Sequence, residues 1–146
     1  MKKILILCRG NVARSQMAEA FFHKLSPHPL NIISAGTLVP RPGEVLTSLL
    51  PRIAELITAM QEEGIDLSQK SRTQVTPEMV RAADQIILVI DDRDPVPDYV
   101  MDHQRVLRWD VLDPKGQSLE FTREVRDRIK GYVEEYIKDK NTETPD

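Results

Sequence analysis

The chain reads as an α/β fold, a three-layer single domain in which a small parallel sheet lies between helices. Three observations predict it. Two short apolar runs without alternation, KILILC at 3–8 and QIILVI at 85–90, suit strands covered on both faces. Segments with apolar residues at helical spacing alternate with these runs along the chain. No linker or internal repeat divides the sequence, and 146 residues form one ordinary domain that buries roughly 68–70% of its unfolded surface.

Taken in order, residues 3–8 form the first strand, and the helix that follows carries Met17, Phe21 and Leu25 on one stripe with Ala18 and Phe22 beside it, ending before Pro27. Residues 31–35 make a second strand. Leu46, Leu49, Leu50, Ile53, Leu56, Ile57 and Met60 then recur at helical spacing up to Gly64, with a helix starting or kinking at Pro51. That stripe is core packing. Thr76 before Pro77 opens a short helix, residues 85–90 form the third strand and 105–108 the fourth. A last helix over about 118–137 turns Phe121, Val125, Ile129, Val133 and Tyr136 inward, so that residues 1–140 make the domain and 141–146 a flexible tail.

Composition narrows the functional classes. A net charge of −3 and a pI near 5.7 give no bulk attraction to nucleic acid or acidic membranes, so a basic patch has to be local; Arg9, Arg14 and Arg41 are its candidates. The apolar run after Lys2 and Lys3 is shorter than the ~7 residues of a secretory core. No stretch approaches the ~18 apolar residues of a membrane span. A soluble cytoplasmic protein is expected. One cysteine excludes an intramolecular disulfide, and with three scattered histidines it makes no zinc site, so neither metal nor cofactor is called for.

The informative segment is CRGNVARS, residues 8–15. A strand that breaks into a tight loop and re-emerges as a helix points successive backbone N–H groups at one spot, where the helix N-terminus adds positive potential. Phosphate, sulfate or arsenate fits such a cradle, built here from Arg9, Gly10, Asn11, Val12, Ala13, Arg14 and Ser15. The same groups stabilise a sulfur anion, which is the reactive form of Cys8. Arg14 grips two oxygens of the bound anion with its planar fork. Ser15 is read as a hydrogen-bond donor to Cys8, a role compatible with capping the helix. Alone, Cys8 at a strand end reads as a small buried hydrophobe; with Gly10 and Arg14 it reads as a nucleophile.

The stretches ILILCRGNVARSQMAEAFF, ISAGT, GIDLSQKSR, ADQIILVID and WDVLDPKG, in order over nearly the whole chain, closely resemble the low-molecular-weight protein tyrosine phosphatase family, which includes thioredoxin-coupled arsenate reductases. The resemblance implies a four-stranded sheet in the order 2-1-3-4. It also implies that Cys8 attacks phosphorus, that Arg14 stabilises the transferring group and that Asp113, before Pro114, protonates the leaving oxygen. Asn11 matches the asparagine that holds the loop in its strained shape, and Ser34 a serine that supports it.

Asp94 before Pro95 competes with Asp113 for the acid role, while Asp91 and Asp92 read as solvated turn residues and His23 as exposed. Lys115 and Gly116 stand where the family's phosphatases carry aromatic residues, LVPRPG lacks an aromatic wall, and Arg9 replaces an apolar residue beside the nucleophile. The mouth is therefore polar and cationic. Ala13 stands where a second loop cysteine is common. Three functions follow. The first is hydrolysis of a phosphorylated protein or small phosphomonoester through phosphocysteine, with no nucleic-acid or membrane partner. The others are arsenate reduction with an external thiol or glutaredoxin-like partner, and a phosphate-binding or phosphocysteine carrier module, which would need no general acid.

Overall fold

The computed structural model describes residues 2–141. Four strands, β1 (Lys3–Cys8), β2 (Asn31–Gly36), β3 (Gln85–Ile90) and β4 (Val106–Asp110), form one parallel sheet in the order β2-β1-β3-β4. Five helices surround it: α1 (Arg14–Leu25), α2 (Ala54–Gln61), α3 (Pro77–Ala82), α4 (Asp98–Met101) and α5 (Leu119–Asn141). None is long and apolar enough to cross a membrane among the described residues.

Side chains alternate across a strand, and two separate cores show that alternation. Ile4 and Ile6 of β1 and Ile87 and Val89 of β3 pack on one face with Met17 and Phe21 of α1, Leu56 and Met60 of α2, and Val125, Ile129 and Val133 of α5. Leu5 and Leu7 with Ile86, Leu88 and Ile90 pack on the other face, against Val80 of α3 and Val100 of α4. Every residue of β3 is buried, which explains its unbroken apolar run. On the first face Trp109 stacks between Phe22, at 6.2 Å, and Tyr132, at 5.1 Å, and so ties the end of β4 to α1 and α5. Glu62, after α2, accepts from Arg123 and Arg126 of α5; Arg123 above all holds its carboxyl down to about 2. Exposed as it is, this brace adds little to stability.

The segment over 46–60 departs from the expected helix. Pro51 restricts the residue before it and lacks an N–H, so Leu50 is extended and the stripe divides into a 3-10 turn at Leu46–Leu49 and α2. Leu50 consequently faces solvent, 45% exposed, instead of joining the core. β4 lies slightly later than expected because its register on β3 runs from Ile86 opposite Val106 to Ile90 opposite Asp110. α4 was not legible at four residues. α5 continues to Asn141, and the expected tail at 142–146 lies outside the described residues.

Candidate active site

Parallel sheets offer their ligand sites at the carboxyl ends of the strands, and the predicted cradle occupies that position at the end of β1. Cys8 is buried, and its Sγ lies 3.0 Å from Ser15 Oγ and accepts from the Asn11 backbone N–H at 3.3 Å. Asn11 Nδ2 donates to the same Ser15 oxygen at 2.8 Å, which occupies one of its two lone pairs and keeps the Ser15 hydroxyl proton free for the sulfur. Ser15 does not cap α1, which has no side-chain cap.

Asn11 is the only non-glycine described residue with positive φ, 54°, a conformation that asparagine tolerates better than most residues. Its fully buried side chain is held on several sides. Nδ2 also reaches Ser34 Oγ at 3.1 Å, Oδ1 accepts from the Thr73 N–H at 2.8 Å, and Ser34 in turn donates to Glu19 at 3.0 Å. Gly36 of β2 is needed beneath the loop because a Cβ there would stand 2.6 Å from the Arg9 carbonyl and 2.9 Å from the Asn11 nitrogen. Arg9 itself is exposed, and Gly10, Val12 and Ala13 are partly exposed along the loop.

Arg14, 2% exposed at the start of α1, is held by the opposite half of the molecule. Its Nη1 donates to Asp94 Oδ2 at 2.7 Å and to the Val111 carbonyl at 2.9 Å. Nε and Nη2 carry no hydrogen bond, and Nη2 lies 3.7 Å from Asp113 Oδ2. Anchoring one nitrogen this way leaves an open two-nitrogen edge, the geometry that binds an oxyanion bidentately. Burial opposes the charge on Arg14, but the Asp94 hydrogen bond and the fields of Cys8, Asp113 and Asp94 outweigh it and raise its pKa above the ordinary arginine value.

The two Asp-Pro aspartates are therefore unlike. The Asp94 side chain is 3% exposed, and its Oδ2 accepts from both Arg14 and the Asp91 N–H, so it is committed to structure. Asp113 is about one-third exposed; its Oδ1 accepts from the Lys115 N–H, and its Oδ2 accepts no hydrogen bond. Asp91 corrects an expectation. It is a buried carboxylate 3.8 Å from Arg14, and hydrogen bonds from Arg93 hold its pKa below the ordinary value. The sequence shows adjacent aspartates after a strand and nothing of the arginine that turns one of them inward. Asp92 and His23 are exposed as expected. Of the expected basic patch, Arg9 and Arg41 are exposed, but Arg14 is buried and faced by three carboxylates.

Sequence comparison gives the same outline. A family model described as low molecular weight phosphotyrosine protein phosphatase matches residues 3–145. The chain belongs to that family. An arsenate reductase of Brevibacillus brevis is 29% identical over 92% of this chain and 93% of its own length. A glutaredoxin arsenate reductase of Synechocystis is 30% identical over 94% and 97%. A solved arsenate reductase in a phosphate-binding state shares 30% identity and a TM-score of 0.74, over 95% of this chain and 98% of that one.

Proposed function

We propose that the protein hydrolyses phosphomonoesters, of a phosphorylated protein or a small molecule, through a phosphocysteine at Cys8. The observation that carries this reading is the placing of Cys8 at the end of β1 and a partly exposed Asp113 after β4, on the same carboxyl-end edge of the sheet, with Arg14 3.7 Å from Asp113, in a chain with one cysteine. In the first step Sγ forms a bond to phosphorus as the P–O bond to the leaving group breaks, and Asp113 supplies that oxygen with its proton. The free edge of Arg14 and the loop N–H groups bind the oxygens of the transferring phosphoryl group. In the second step water attacks phosphorus and yields its proton to Asp113, the S–P bond breaks, and the Ser15 hydroxyl stabilises the departing thiolate. A cytoplasmic setting, where a thiol stays reduced, suits this chemistry.

Asp113→Asn tests the acid. It is expected to slow phenyl phosphate roughly tenfold or more beyond its effect on nitrophenyl phosphate, because nitrophenolate leaves without help, within the ~10²–10⁴-fold range of general acids. Asp94→Asn loosens Arg14 and slows both substrates by a similar factor. A leaving-group dependence found for Asp94→Asn and absent for Asp113→Asn moves the acid to Asp94.

The arsenate reductases among its relatives favour a second reading, arsenate reduction. Thiolate attack then gives an arseno-cysteine adduct that another thiol must resolve, and Cys8 has no second cysteine in the chain. NADPH oxidation with arsenate, thioredoxin and thioredoxin reductase alone is expected to stay at background. Turnover in this reading requires a small thiol or a glutaredoxin-like protein. Cys8-dependent turnover with thioredoxin alone contradicts the prediction from cysteine count.

A further inference from the structure

Arg72 lies against the loop that follows β1, and its side chain is only 10% exposed. Its Nε donates to the Gly10 carbonyl at 3.0 Å. The N–H of that same peptide unit belongs to Asn11 and donates to Cys8 Sγ. One planar peptide therefore has a guanidinium on its oxygen and the nucleophile on its N–H, so the cation both orients the peptide and polarises its donor end. Arg72 lies close along the loop, since a Cβ on Gly10 would stand 3.1 Å from its Nη2.

The arginine is itself held in place. Nη1 pairs with Glu44 Oε1 at 2.9 Å, the Arg72 N–H donates to the Glu44 carbonyl, and the Arg72 carbonyl accepts from the Gly43 N–H. The neighbouring Thr73 N–H holds Asn11 Oδ1. We propose that Arg72 is a positioning residue for the nucleophile, acting through the Gly10–Asn11 peptide, and that Glu44 sets how much of its charge the peptide feels. The inference rests on Cys8 being the reacting group, as in the proposed function.

Alkylation of Cys8 by iodoacetamide tests it without any substrate, so loss of the phosphatase reading and loss of this inference are separable. The rate for Arg72→Met is expected to fall roughly tenfold at about pH 6 and to stay within about twofold of the parent at about pH 9.5, where any ordinary thiol is mostly thiolate. Glu44→Gln keeps an acceptor for Arg72 but removes the opposing charge, so its rate at about pH 6 is expected to rise about twofold or more. Opposite signs for the two variants distinguish an electrostatic role from a brace. Equal losses at both pH values for Arg72→Met, or a loss for Glu44→Gln, overturn the proposal. If Arg72→Met fails to fold, the sign of the Glu44→Gln effect decides alone.

Discussion

Cys8→Ser is expected to lower aryl phosphate turnover by on the order of 10⁴-fold or more, because a hydroxyl at its ordinary pKa is a weak nucleophile and a poor leaving group in the second step. Phosphate binding is expected to survive. In the proposed mechanism the anion contacts come from loop N–H groups and from Arg14, whose Nη1 is anchored by Asp94 and Val111 rather than by the sulfur. Serine also preserves the hydrogen-bond partners of the sulfur, Ser15 Oγ and the Asn11 N–H. Kinetics together with calorimetric titration of phosphate separate the two effects. Turnover within tenfold of the parent shows that another group carries the chemistry.

Arg14→Lys is expected to cost both binding and rate. An ammonium gathers its three donors at one point and cannot hold Asp94 and the Val111 carbonyl while presenting two parallel donors to the anion, whereas the guanidinium donates to Asp94 and Val111 through Nη1 and keeps its Nε–Nη2 edge for it. Loss of a preorganised donor at a charge-developing centre lowers kcat by about 10²–10³-fold, and an ammonium drawn toward Asp94 adds a weaker grip on the ground state. Phosphate affinity falls here, in contrast to Cys8→Ser. A kcat/KM within about tenfold of the parent would show that the loop N–H groups suffice and that the fork has no part in the reaction.

What was legible in the sequence follows the range of the interactions. The cradle is a contiguous segment whose function depends on its neighbours in the chain, so Cys8, Asn11, Arg14 and Ser15 stood out together. The strands were legible because burial on both faces leaves runs such as QIILVI. Pro51 announced a break but not its form, because whether the chain kinks or starts afresh depends on how Leu50 is placed by packing. The second layer of the site was invisible for the same reason. Asp91 and Asp94 become inward-facing only when the sheet order brings the end of β3 beside α1, and Arg72 acquires meaning only from the Gly10 carbonyl across 62 residues. Gly36 carried one weak signal, its place in ISAGT; the need for glycine there appears only when the Arg9 carbonyl is seen above it.

Phosphocysteine is the species on which the account turns. The most direct measurement mixes the wild-type protein with phosphorus-labelled aryl phosphate, quenches during turnover and maps the peptides by mass spectrometry. A single phosphoryl group on the peptide bearing Cys8, absent from Cys8→Ser and released at a rate no slower than kcat, is the predicted result. Turnover that proceeds with no label on Cys8, or with the label on another residue, contradicts it.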